Sequence, residues 1–218
     1  SINYEEEEKE KLKRIQRKEK FKEDIQKMEI FTDINEEYLE MSQDLAKSCL
    51  ISQVQIQNLE VFISNLNYFY FFNTPKLTSI SVQEIEGSKF VKKNGILYTA
   101  DEKKLIVAER NIKSALISSK CQTISNYAFN VKSLKKVSFE KNSKLKEISF
   151  LAFYESQIDS LNISDEVDLI DYGAFYKCKK LEKINIPHSI FLIDFFTFSK
   201  TNITNITIPK NVIKIKYG

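Results

Sequence analysis

From Ile112 onward, apolar positions recur in blocks rather than with one helical or strand period. Ile124-Ser-Asn-Tyr-Ala128-Phe129 returns as Ile148-Ser-Phe-Leu-Ala152-Phe153, as Ile170-Asp-Tyr-Gly-Ala174-Phe175, and as Ile193-Asp-Phe-Phe-Thr197-Phe198. The Ile-to-Ile spacings are 24, 22 and 23 residues, and a fifth start, Ile215, follows 22 residues after Ile193. Five or six residues beyond each Phe comes a second set: Leu134/Val137/Phe139, Ile158/Leu161/Ile163, Leu181/Ile184/Ile186 and Ile203/Ile206/Ile208, with Ile112/Ala115/Ile117 ahead of them. The last positions of each set alternate, which predicts a short strand with one face buried. A further apolar slot precedes each new Ile, filled by Cys121, Val167, Ile190 and Val212. Cys121 is therefore expected to be a core residue rather than a reactive thiol.

A unit of about 23 residues cannot bury its own apolar edge, whereas stacked copies place Leu on Leu and Phe on Phe along one core. Each strand is expected to pair in parallel with the next and to turn its alternate residues outward. Those outward residues form the candidate protein-binding ladder: Ser79, Ser81, Lys136, Ser138, Ser160, Asn162, Lys183, Asn185, Asn205 and Thr207. A degenerate upstream copy runs from Leu66 and Phe71 to Leu77, Ile80 and Val82. Between the copies, Phe90 to Tyr98 reads as a hairpin about an Asn94-Gly95 turn, with Leu105-Ile106-Val107 as a third strand. An exposed edge at the start of such a stack needs covering. Asp33 with Glu36 resembles a capping box, and Ile34, Tyr38, Met41 and Leu45 share one helical face, so residues 33–49 are the expected cap.

The order Ile-x-x-x-Ala-Phe, then Cys-x-x-Leu-x-x-Ile-x-Ile-Pro, whole from Ile170 to Pro187, resembles the leucine-rich repeats of BspA-like proteins. The insert carrying Asn94-Gly95-Ile96-Leu97-Tyr98 is similar to one that recurs in that family. Only Pro187 and Pro209 keep the proline after the strand, and only Cys178 keeps the cysteine. The resemblance implies a mainly β fold, a BspA-like leucine-rich-repeat solenoid; the N-terminal helical segment, outside the resemblance, is expected from the residues before position 50 alone. It implies protein binding, often on cell-surface antigens, and no catalytic residues. The domains are then expected to be a charged helical extension at 1–31, a helical cap at 32–58, and the solenoid at 59–218. A hairpin insertion falls at about 84–108, and the pattern breaks off mid-repeat at the C-terminus, as in a piece of a longer protein.

Composition narrows the chemistry. The 218 residues carry 4 Gly, 1 His and no Trp, too few for a Gly-rich phosphate loop or a His-based metal centre. His188 stands alone in a loop without a Ser or Cys nucleophile motif. Asp171 and Asp194 share their repeat position with Ser125 and Ser149, and so read as turn residues. No catalytic, cofactor-binding or metal residue is assigned, and no enzyme is expected. Three scattered cysteines, Cys49, Cys121 and Cys178, make no disulfide framework. The net charge of +3 does not point to nucleic acid, and the nine acids within residues 1–31 cancel their nine bases. No run approaches a membrane span; the aromatic stretch Tyr68 to Phe72 is too short. Three glycosylation sequons occur, Asn162-Ile-Ser164, Asn202-Ile-Thr204 and Asn205-Ile-Thr207. The expected role is a non-enzymatic interaction scaffold that meets protein partners through the strand face and the N-terminal helix, within a larger assembly. It is placed in the cytoplasm or on the cytoskeleton, with a cell-surface antigen or adhesin as the alternative.

Overall fold

The computed structural model describes residues 58–61, 74, 76–82 and 88–217. The chain divides into two compact units, Ser1–Cys49 and Leu50–Gly218, and all described residues belong to the second. The expected helices before residue 50, Cys49, Leu66 and the Tyr68–Phe72 stretch lie outside the described residues.

The strands, in chain order, are β1 (Asn58–Val61), β2 (Ser79–Val82), β3 (Phe90–Lys93), β4 (Ile96–Thr99), β5 (Lys104–Ala108), β6 (Ser114–Ile117) and β7 (Thr123–Ile124). They continue with β8 (Lys136–Phe139), β9 (Glu147–Ile148), β10 (Ser160–Leu161), β11 (Leu169–Ile170), β12 (Lys183–Ile184), β13 (Leu192–Ile193) and β14 (Lys214–Ile215). From β6 to β13 the coils contribute strands alternately to two faces. The repeating isoleucines form one row, in register as Ile124 with Ile148, Ile148 with Ile170, and Ile193 with Ile215.

What wires the coils together continuously is the turn after each isoleucine. The amide of Phe129 donates to the Ala152 carbonyl at 2.7 Å, Phe153 to Ala174 at 2.8 Å, and Phe175 to Thr197 at 3.0 Å. A second set runs from Tyr127 to Phe150, Leu151 to Tyr172, Gly173 to Phe195 and Phe196 to Tyr217, at 3.0–3.3 Å. To aim those amides at the next coil, Tyr127, Leu151, Gly173 and Phe196 adopt φ of 55°, 49°, 57° and 55°. Left-handed backbone costs a side-chain-bearing residue about 1 kcal/mol or more, and three of the four coils accept that cost.

Inside the turn, the four Phe rings form one column. Phe129–Phe153, Phe153–Phe175 and Phe175–Phe198 are stacked at 5.0, 5.3 and 5.8 Å with interplanar angles of 12°, 13° and 3°. Ala128, Ala152 and Ala174 are fully buried beside them, and Thr197 nearly so. Cys121 is buried in the slot that Leu145, Val167 and Ile190 fill in later coils. A second aromatic column runs Phe150–Tyr172–Phe195–Tyr217, with ring centroids 4.9–6.5 Å apart, and its first three members lie one position before left-handed Leu151, Gly173 and Phe196.

The hairpin forms as the Asn-Gly dipeptide dictates. β3 pairs antiparallel with β4, with Lys93 opposite Ile96, and the two-residue loop has φ of 49° at Asn94 and 76° at Gly95. β5 returns antiparallel to β4 and then pairs in parallel with β7, Leu105 beside Ile124. The third strand of the meander is thus also the first rung of the isoleucine row, in a six-stranded sheet β11-β9-β7-β5-β4-β3. Two cores pack on this insert. Ile96, Tyr98, Leu105 and Ala108 join the main core, while Phe90, Leu97, Ile106 and Val107 meet Leu77 and Ile80. Burial on both faces explains the unbroken apolar runs in β4 and β5.

Two buried charged groups fix the insert. Arg110 donates to the Thr74, Tyr127 and Ala128 carbonyls and to Thr74 Oγ1, tying residue 74 to the first turn. Its burial pulls the guanidinium down to about 9. Glu102 accepts from Lys93 Nζ at 2.7 Å, Ser118 Oγ at 2.6 Å and Lys120 Nζ at 3.3 Å. The Lys93 hydrogen bond, then that of Ser118, holds the carboxyl down at about 2.

Candidate functional site

The opposite strand row carries the predicted ladder. β1 pairs with β2, β6 with β8, and β10 with β12, all in parallel. The pairing is not continuous, however. β8 and β10 are bridged only by the Gln157 amide on the Leu134 carbonyl at 3.0 Å. The strand expected over Ile203–Ile208 is irregular backbone, joined to the previous coil by the Asn202 amide on the Leu181 carbonyl at 3.0 Å. Even where β10 and β12 pair, the pairing is two residues long and stops short of Asn185. Its side chain accepts from the Ile163 amide at 2.7 Å and donates to the Ile163 carbonyl at 2.6 Å, replacing backbone pairing where β10 and β12 end. Pro187 follows with no amide to offer.

All ten ladder residues are exposed. Six of them, Ser160, Asn162, Lys183, Asn185, Asn205 and Thr207, line a single open groove of about 620 Å³. The other four, Ser79, Ser81, Lys136 and Ser138, lie outside that groove. Asp165 and His188 also border it, and the His188 amide and Nδ1 approach Asp165 Oδ1 at 2.7 and 3.1 Å. The hydrogen bond donated by the His188 backbone N–H holds the Asp165 carboxyl below its ordinary range. Several ladder groups are occupied by the fold itself: Asn185 as above, Ser160 on Asp159 Oδ1, and Ser138 on the Ala115 carbonyl at 3.4 Å. Lys136, Asn162, Lys183, Asn205 and Thr207 make no side-chain hydrogen bond among the described residues and are exposed.

One ladder pair escaped the sequence reading. β6 sits in register with β8, Ser114 beside Lys136 and Leu116 beside Ser138, and Leu116 is 47% exposed. The signal was present, because Ile112/Ala115/Ile117 already fitted the strand pattern and fixed 114 and 116 as outward positions.

The chemistry elsewhere is that of packing. Cys121 and Cys178 are free and buried, and burial pushes both thiols up to about 12. Among the described residues no three His, Cys, Asp or Glu side chains stand together as a metal site, and no helix is long and apolar enough to cross a membrane. Asp171 and Asp194 accept from the next backbone amide, Tyr172 and Phe195, at 2.8 and 2.7 Å, as turn residues do.

Stacked coils of 22–24 residues, with a short strand and an isoleucine row each, define a leucine-rich-repeat solenoid. A family model described as a BspA type leucine rich repeat region matches residues 106–218 in six copies. That is more than half of the chain, which belongs to this family. Among solved structures it is similar to a leucine-rich repeat protein from Eubacterium ventriosum ATCC 27560, at 16% identity and a TM-score of 0.49, covering 73% of this chain and 56% of that one. It is similar to a leucine rich cell surface protein from Faecalibacterium prausnitzii A2-165 at 18% identity and a TM-score of 0.48, over 75% of this chain and 48% of that one. The pneumococcal vaccine antigen PcpA matches at 17% identity and a TM-score of 0.40, over 73% and 50%. The chain spans about half the length of these structures. No curated protein matches it.

Proposed function

We propose that the chain is a non-enzymatic protein-binding module that takes its partner on the ladder face as part of a larger assembly inside the cell. The observation that carries this reading is the gathering of exposed ladder residues: all ten face solvent, and six share one groove. A shallow face of Ser, Asn, Thr and Lys, held by a rigid stack, suits a broad protein surface better than a small molecule, which needs an enclosed apolar site. The test is co-purification from the native source with a K136E/K183E variant. Loss of the wild-type partners supports the reading; an unchanged partner set moves the contact elsewhere, with residues 1–31 next to be deleted.

A second reading, a cell-surface antigen, is favoured by a separate observation: Asn162, Asn202 and Asn205 of the three sequons are all exposed. A glycan on Asn162 or Asn205 would stand in the groove, so the two readings differ in whether that face is free. Endoglycosidase treatment of native protein separates them, since a mobility shift requires the secretory route and an unshifted band supports the intracellular assembly.

A further inference from the structure

Beside the ladder, at the edge where each coil enters its strand, runs a row of charges that the repeat pattern did not single out. It consists of Lys113, Lys135, Asp159 and Glu182, one from each successive coil, all exposed. The backbone sets the neighbours: the Lys135 amide donates to the Lys113 carbonyl, and the Glu182 amide to the Asp159 carbonyl, both at 2.9 Å. Two lysines therefore stand side by side, followed by two acids side by side. Like charges on adjacent strands are unfavourable, and neither pair is relieved by an ion pair among the described residues. Asp159 instead accepts from Ser160, and Glu182 from Asn202. Lys136 adds a third unpaired cation at the basic end, and the exposed Leu116 sits two residues along from Ser114 there. Lys183 belongs to the ladder row, one residue beyond Glu182.

Resting on the ladder-face reading, we infer that this edge fixes the chemistry and direction of the partner. The partner segment runs along the stack, with an apolar residue and acids over Leu116, Lys113 and Lys135, and bases over Asp159 and Glu182. The Phe129 and Phe153 rings that precede Lys135 and Asp159 lie 5.0 Å apart, and with paired strands about 4.8 Å apart on either side the centres of the two charge pairs are about 10 Å apart, which an extended peptide covers in about three residues. Leu-Glu-Glu-Ser-Lys-Lys has that spacing, whereas Leu-Glu-Lys-Ser-Glu-Lys has the same composition without it.

The experiment titrates each peptide into the isotope-labelled full chain at low salt and follows backbone amide shifts. The segregated peptide should move the amides around residues 113, 135, 159 and 182, bind at least tenfold tighter than the mixed one, and lose its advantage in 0.5 M salt, where screening shortens to a few ångströms. The variant K113E/K135E/D159K/E182K, folded by circular dichroism, should prefer Leu-Lys-Lys-Ser-Glu-Glu. Equal binding of the two peptides, no shifts at these residues, or an unchanged preference in the reversed variant overturns the inference. If the peptides fail while K136E/K183E still loses the native partners, the ladder reading stands and the charge row alone is dismissed.

Discussion

Phe153 offers the sharpest quantitative prediction of the stacked-coil account. Its ring is fully buried and lies between Phe129 at 5.0 Å and Phe175 at 5.3 Å. Truncating a buried Phe to Ala costs about 3–5 kcal/mol through lost transfer energy and the cavity left behind. Each aromatic contact adds roughly 0.5–1.5 kcal/mol beyond area, so Phe153→Ala belongs at the upper end, about 5 kcal/mol. Phe198 is half-buried and stacks on Phe175 at 5.8 Å, so Phe198→Ala should cost about 2 kcal/mol. The assay is urea unfolding followed by far-UV circular dichroism, with a slope of about 2 kcal/mol per molar. The two variants should then differ by about 1.5 M in midpoint. If Phe153→Ala leaves no folded baseline, Phe153→Leu should still cost about 1–2 kcal/mol. Equal midpoints for the two alanine variants, or a loss below about 1 kcal/mol at Phe153, would refute a core built by coil-on-coil Phe stacking.

Other consequences follow from single groups. Gly173→Ala should destabilise by about 1–2 kcal/mol in the same assay, because φ is +57° and the new Cβ would lie 2.7 Å from Leu151 Cδ2; a neutral result would count against the left-handed turn. Glu102 is held at about 2, below its ordinary 4.5, so its stabilisation is present above pH 4.5 and is lost as pH falls towards 2. At most about 3 kcal/mol is at stake, and Glu102→Gln should flatten the acid limb of a pH–stability curve; an unaltered limb would exclude the Lys93–Glu102–Ser118 cluster as its source. Cys121 and Cys178, with thiols pushed up to about 12, should resist iodoacetamide at pH 8 in native protein and react once it is unfolded, as mapped by peptide mass spectrometry. Rapid native labelling at either would contradict their place in the core.

The repeat was legible in the sequence because its core positions are redundant. Ile and Phe return at the same offsets in four coils, and Ala in three of them, so a chance match in one copy is corrected by the others. The Asn94-Gly95 turn was equally readable, since few dipeptides accept positive φ at both positions. Two features were not. The unbroken Leu105-Ile106-Val107 run carries no period from which to infer that β5 lies between two cores and starts the isoleucine row. Nor do the strand-face residues reveal that their backbone pairing fails between β8 and β10, while the turn pairing at Phe129, Phe153 and Phe175 persists. At the candidate site, alternation placed every ladder residue outward, but it gave no sign of which side chains would be taken up by the fold. The charge row lay one residue outside the alternating positions and was passed over for that reason.

The central claim is that partners meet the ladder face, and site-specific photocrosslinking tests it most directly. A benzophenone amino acid placed in turn at Ser138, Asn162 and Asn205 on the ladder, and at Lys146 and Asp168, each one residue before a strand of the other row, would be irradiated in cells of the native source. The account predicts one partner crosslinked from the ladder positions and not from Lys146 or Asp168. Adducts from Lys146 and Asp168 with none from the ladder would contradict it.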